Sequence, residues 1–145
     1  MRCALFLMLV ITAAGCSKDN LLVDTAVSSL PTEVQLHPGQ SVFFPREGYV
    51  VTFEEVTGDS RCPIGVQCVW AGDGAARLRL QDRTGSVSED TLHTTLNPRS
   101  LQFQLLSLRL KNLEPYPVYN EPIDSSKYVI TLEIERGTPE RLETK

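Results

Sequence analysis

From Glu33 onward, apolar and polar positions alternate with a period of two over most of the chain. A strand sends successive side chains to opposite faces, so this alternation predicts half-buried antiparallel strands. In EVQLHPGQSVFF, Val34 and Leu36 alternate with polar neighbours, His37-Pro38-Gly39 breaks the run and Val42 to Phe44 resumes it, predicting two strands joined by a turn. Tyr49, Val51 and Phe53 share one face while Val56 falls out of phase, so a bulge or strand end is expected near Glu54-Glu55. GAARLRLQ sets Ala76, Leu78 and Leu80 against Arg77, Arg79 and Gln81 on the opposite face. A polar turn, DRTGSVSED, then leads into a strand from Thr91 to Leu96.

The pattern changes phase in LQFQLLSLRL, where Leu101, Phe103 and Leu105 give way to Leu106, Leu108 and Leu110. A one-residue slip moves the buried set to the other face, as at a bulge or where a strand passes between two sheets. EPYPVYNEP holds three prolines, which bars it from a central strand and makes it an extended loop. KYVITLEIE turns Tyr128, Ile130, Leu132 and Ile134 inward and Thr131, Glu133 and Glu135 outward. No segment shows a 3.6-residue apolar stripe of helical length. The pattern predicts an all-β fold, an antiparallel β-sandwich or barrel-like domain over residues 34–136, with a polar tail at 137–145.

A chain of 145 residues suits one domain, and 41% hydrophobic with 22% charged residues is ordinary globular composition. The net charge of −4 gives no basic stripe for a phosphate backbone, so nucleic acid is not an expected partner.

The first segment changes the picture most. MRCALFLMLVITAAGC has Arg2 as a positive start, an apolar run of eleven residues from Ala4 to Ala14, and small residues before Cys16. A bilayer-spanning helix takes about 20 residues, so the run reads as an export signal over residues 1–15. The ending Ala13-Ala14-Gly15-Cys16 resembles a bacterial lipobox, with alanine at 13 where leucine is usual. That resemblance implies cleavage after Gly15 and acylation of Cys16, and so a membrane anchor, since two or three acyl chains hold stably where one does not. Residues 16–33 then form the lipidated terminus and tether. Ser17 after the lipidated cysteine implies an outer-membrane destination in a Gram-negative envelope. Loss of Arg2 leaves 13 basic against 18 acidic residues, a net charge of −5.

Export also decides the cysteines. With Cys3 removed and Cys16 lipidated, Cys62 and Cys68 remain as a pair in an oxidising compartment and are expected to form one disulfide stapling the domain. Their five-residue spacing is unlike the two-residue spacing of a redox pair at a helix start. Pro63 and Gly65 shape a tight excursion, with Ile64, Val66 and Gln67 on it. Trp70, the only tryptophan, is expected to pack over the disulfide or cap the sheet edge. Asp59, Ser60 and Arg61 are placed to hydrogen-bond across the loop mouth. Asp73 between glycines reads as a turn residue.

Other groups carry structural expectations first. Arg77 and Arg79 are expected to pair with Glu133 and Glu135 if their strands are neighbours. Tyr116 and Tyr119 lie in the proline-rich loop, either laid over the end of the sandwich or offered to a partner. His37 and His93 have no companion ligands at metal spacing, and no nucleophile elbow or cysteine–histidine pairing is visible, so neither a cofactor nor catalysis is expected.

Phe53 and Val56, then Asp59-Ser60-Arg61-Cys62-Pro63, then Cys68-Val69-Trp70-Ala71-Gly72, together resemble a motif of small uncharacterised bacterial lipoproteins and secreted proteins, across residues 41–135. The resemblance implies a β-rich exported domain and brings no catalytic residue. The expected function is that of a lipid-anchored envelope protein, a non-enzymatic binding or structural module whose partners are the membrane, through Cys16, and another envelope protein. The binding loop would comprise Pro63, Ile64, Gly65, Val66, Gln67, Trp70, Tyr116 and Tyr119. The alternative is a protease-inhibitor-like module inserting the Cys62–Cys68 loop into a cleft, because a constrained loop loses less entropy on binding.

Overall fold

A computed structural model describes residues 23–27 and 29–137. Among these residues there are nine strands: β1 (Val23–Ala26), β2 (Thr32–Leu36), β3 (Ser41–Phe44), β4 (Tyr49–Asp59), β5 (Gly74–Gln81), β6 (Val87–His93), β7 (Ser100–Phe103), β8 (Leu106–Glu114) and β9 (Val129–Arg136). They form a five-stranded sheet ordered β1-β3-β4-β5-β6 and a four-stranded sheet ordered β2-β9-β8-β7. All neighbours are antiparallel except β1, which runs parallel to β3.

The period-two sets meet in one continuous core. Phe44, Phe53, Leu78, Leu80 and Leu92 from the first sheet join Leu108, Leu113, Ile130, Leu132 and Ile134 from the second, all essentially without solvent exposure. Each such side chain contributes about 1.5–3 kcal/mol relative to exposure. Tyr49 and Phe103 meet edge to face across the two sheets, with ring centroids 5.6 Å apart. The fold is thus the expected all-β sandwich, and the Cys62–Cys68 bridge is formed.

The bulge near Glu54 is present as a register shift between Phe53 and Glu55. Several local expectations are corrected. β2 and β3 do not form a hairpin: β2 pairs with β9 and β3 with β4, so His37–Gln40 carries the chain from one sheet to the other. The phase change at Leu105-Leu106 is a tight hairpin turn, with Gln104 at φ 53°, and β7 and β8 pair within one sheet. β6 begins at Val87, so the preceding turn is shorter than DRTGSVSED. Asp82 Oδ1 closes that turn by accepting from the amides of Thr84 and Ser86.

Arg77 pairs with Glu54 at 3.0 Å and with Glu55, both on β4, while Glu133 faces Arg109 and Lys111 on β8. The strands carrying Arg77 and Glu133 lie in different sheets, which forbids the pairing expected between them. Thr131, expected to point outward, is buried. The folded domain also starts earlier than residue 34, because β1 and the first residues of β2 fall within the stretch assigned to the tether.

Strand pairing gathers the cysteine loop and the proline-rich loop at one end. Asp59 pairs with Gly74, Ala75 with His93, and Glu114 with Val129, so the β4–β5, β6–β7 and β8–β9 connections all emerge there. The opposite end holds the turns around Arg46-Glu47 and Asp82-Arg83, where Arg83 donates to the Glu47 carbonyl at 2.7 Å and Arg136 bonds Glu47 at 2.7 Å.

Candidate functional site

The β4–β5 connection is the cysteine loop. Its mouth is laced by backbone: the Ser60 amide donates to the Asp73 carbonyl at 2.7 Å and the Cys62 amide to the Ala71 carbonyl at 2.9 Å. The Asp73 amide in turn donates to Ser60 Oγ at 3.1 Å. Cys62 and Cys68 close the excursion with their Cα atoms 5.9 Å apart. The glycines in AGDG have a steric origin. Gly72 sits at φ +69°, and a Cβ there would lie 1.8 Å from the Ser60 carbonyl oxygen. A Cβ on Gly74 would lie 2.6 Å from Leu113.

Arg61 joins this loop to the other sheet. Its side chain is 5% exposed and that of Asp59 9%. Nε donates to Asp59 Oδ1 at 2.8 Å, and Nη2 to Asp59 Oδ2 at 2.6 Å and to the Pro115 carbonyl at 2.8 Å. Nη1 bonds the Leu113 carbonyl. The guanidinium also lies 5.0 Å from the centre of the Tyr116 ring, within cation–π range. Tyr128 completes the group by donating its hydroxyl to Asp59 Oδ2 at 3.1 Å. Burial by itself raises the Asp59 pKa, but the Arg61 hydrogen bonds and charge and the Tyr128 hydroxyl outweigh it and hold the carboxyl below its ordinary range. Burial, then the neighbouring Asp59 charge and hydrogen bond, push the Tyr128 phenol up.

A second carboxylate organises the β6–β7 connection. Asp73 Oδ1 accepts from the amides of Thr95 at 2.9 Å and Leu96 at 3.2 Å, and Oδ2 meets His93 Nδ1 at 2.5 Å. Burial raises the Asp73 pKa, and bonds from His93, Thr95 and Leu96 outweigh it to leave a net lowering. Asp73 is therefore more than a turn residue, and its oxygens are committed to protein donors.

The proline-rich loop docks directly on the cysteine loop. The Ile64 amide donates to the Pro117 carbonyl at 2.9 Å, and the Tyr119 amide donates to the Ile64 carbonyl at 3.1 Å. Beside this junction lies an open cleft of about 420 Å³, with Asp59, Pro63, Val118, Glu121, Ile123 and Tyr128 on its walls. The two loops carry seven of the ten large apolar side chains left exposed among the described residues: Ile64, Val66, Val69, Trp70, Tyr116, Val118 and Tyr119. Cys62 to Gly72 and Pro115 to Asn120 contain no charged residue.

The structure joins the two segments expected to form the binding loop, Pro63 to Gln67 with Trp70 on one and Tyr116 with Tyr119 on the other, through the backbone bonds of Ile64. Trp70 corrects its own expectation. It is 78% exposed, so it neither covers the disulfide nor caps the sheet edge. Val69 and Val118 belong to the same surface and were not anticipated; their adjacency to Trp70 and to the prolines is the only trace in the sequence. The role of Arg61 as the bolt between sheets was also missed, because its acceptors are backbone carbonyls 52 and 54 residues away. Cys16, the signal segment and residues 138–145 lie outside the described residues.

Comparison with known families, curated proteins and solved structures finds no match to this chain. Fold and site together define its class: a two-sheet β-sandwich whose disulfide-bonded loop end exposes a cluster of large apolar side chains on two hydrogen-bonded loops.

Proposed function

We propose that the protein is a lipid-anchored component of a bacterial envelope and acts as a non-enzymatic binding module, with the joined cysteine and proline loops as its contact surface. One observation carries the reading: most of the exposed large apolar side chains sit on two loops that are cross-linked, hydrogen-bonded to each other and bolted to the second sheet by Arg61. A surface held still before contact loses less entropy on binding, and aromatic side chains are enriched where proteins meet partners. The lipobox resemblance at Ala13–Cys16 supports the anchor.

The inhibitor-like reading gains less support. A loop inserted as a strand into a protease cleft offers its own backbone for pairing, whereas the amide and carbonyl of Ile64 are already used by Pro117 and Tyr119.

Metabolic labelling with a tagged fatty acid tests the anchor. Label is expected in the wild type and absent in Cys16→Ser, with the variant lost from the membrane fraction. An unlabelled wild type recovered free in the soluble fraction would sink the reading.

A further inference from the structure

The occupant of the loop end follows from where the chain enters the fold. β1 is parallel to β3, which starts at Ser41 opposite Thr52 and ends at Phe44 opposite Tyr49. β4 runs the other way, from Tyr49 toward the cysteine loop at Asp59. The first residue of β1, Val23, is therefore its end nearest the loops, and the strand runs away from them. Cys16 lies seven residues before Val23, a length of chain that spans at most about 25 Å. The seven steps along β4 from Thr52 to Asp59 cover a similar distance, about 23 Å. At full extension the anchor can thus come level with Asp59, where the loop end begins, on the side from which the chain enters β1.

The chemistry of the two ends agrees. The loop end offers Trp70, Tyr116 and Tyr119 with Ile64, Val69 and Leu96; the stretches 62–72, 94–98 and 115–120 that carry them are uncharged, and the exposed charges of the β8–β9 connection, Glu121, Asp124 and Lys127, follow after Asn120. Indole and phenol rings are amphipathic and favour the boundary between headgroups and acyl chains, where aliphatic neighbours bury their surface. The opposite end carries Arg46, Glu47, Asp82, Arg83 and Arg136, a set that belongs in water. A protein partner of a domain carrying a net charge would commonly be steered by charge at the contact, and the stretches that hold the exposed aromatics, 62–72 and 115–120, carry none.

We propose that the loop end docks on the phospholipid bilayer that holds the Cys16 anchor, with Trp70 and Val69 at the level of the lipid carbonyls. The domain then stands upright on the membrane, loops down and charged turns outward. This deepens the reading above and rests on its lipid anchor.

Trp70 is its own probe, since the chain has no other tryptophan. The lipidated protein is purified in detergent, reconstituted into phosphatidylcholine vesicles and floated on a density gradient. In vesicles the Trp70 emission is expected to move to shorter wavelength and to lose intensity when the lipids carry bromine on their acyl chains. Ile64→Asp with Val69→Asp, both at exposed positions, is expected to abolish both effects without releasing the protein. Protein that floats while Trp70 emits at the wavelength of solvent-exposed indole and ignores bromine overturns the docking and leaves the anchor standing. A crosslink from position 67 to another protein in cells, together with unquenched Trp70, assigns the surface to a protein and also overturns it. Protein that fails to float overturns the anchor and the docking with it.

Discussion

Arg61 grips both carboxylate oxygens of Asp59, two residues before it, and with the same guanidinium holds the carbonyls of Leu113, on the other sheet, and of Pro115, just beyond its strand end. Local pairing fixes the rotamer, and the long-range bonds use it. The consequence is that the DSRC stretch fastens the loop end together from inside, and the exposed surface is made by its neighbours.

Removing the Arg61 side chain would therefore leave a nearly buried carboxylate without its counter-charge, held only by the Tyr128 hydroxyl and the residue-61 amide, and two carbonyls without this donor. Arg61→Met is expected to cost about 3–5 kcal/mol, the range for breaking one side of a buried ion pair. Lysine offers one compact ammonium in place of a planar fork, so Arg61→Lys should recover only part of the loss. Urea denaturation followed by far-ultraviolet circular dichroism measures both. A wild-type midpoint for Arg61→Met would show that the clasp contributes nothing to stability.

Among the described residues four aspartates have lowered pKa values, Asp59, Asp73, Asp82 and Asp124, and the first two, at the loop end, predict an acid limb of stability. Asp59 and Asp73 have folded-state pKa values below the ordinary 3.8, so the unfolded chain takes up protons more readily than the folded one. The stabilisation they contribute is complete above the unfolded-state value and drains as the pH falls through it to the lower folded-state value. The melting temperature should fall as the pH is lowered below about 4, and Asp59→Asn or Asp73→Asn should be less stable than wild type at neutral pH and converge with it in acid. Parallel curves at all pH values would remove these two groups from the explanation.

How much of this was legible in the sequence depends on how far each interaction reaches. Ala76, Leu78 and Leu80 announce β5, and Ile130, Leu132 and Ile134 announce β9, because alternation is a property of a single strand on a half-buried sheet. The bulge beside Glu54 is legible for the same reason. Which strands become neighbours is set by the packing of two sheets and leaves no local trace, so Leu36 and Val42 were read as one hairpin although they join different sheets. Leu105 misled because an exposed leucine in a two-residue turn looks like core. For the site, the members of the contact surface were legible as turn-formers and aromatics in polar surroundings. The Arg61 clasp was not, since its acceptors are main-chain oxygens on a strand end and loop far along the chain.

Glycine substitutions separate the tight loop mouth from an open position on β4. Gly72 combines a left-handed φ of +69° with the Ser60 carbonyl oxygen 1.8 Å from where a Cβ would stand. Alanine there must push backbone against backbone across the loop mouth. Gly72→Ala is expected to destabilise by about 1–3 kcal/mol or more, while Gly58→Ala, with open space and no left-handed φ, should stay within about 1 kcal/mol of wild type. Thermal melts of the pair decide it; equal melting temperatures would mean that the mouth opens freely.

The disulfide closes a short ring, and its contribution is bounded by that length. Joining residues six apart in sequence removes about 2 kcal/mol of freedom from the unfolded chain in the chain-entropy account. The ring is also fixed without sulfur, by the Cys62–Ala71 bond at its base and the two Ile64 backbone bonds to the proline loop. Cys62→Ser with Cys68→Ser should lower stability by about 2 kcal/mol in urea and leave the strands folded at ambient temperature. Faster amide exchange is expected at Ile64 and Tyr119, where the two loops meet, with little change at Leu78 or Leu132 in the core. A double variant that unfolds outright, or one as stable as wild type with unchanged exchange at Ile64, would contradict a staple of this size acting on this loop.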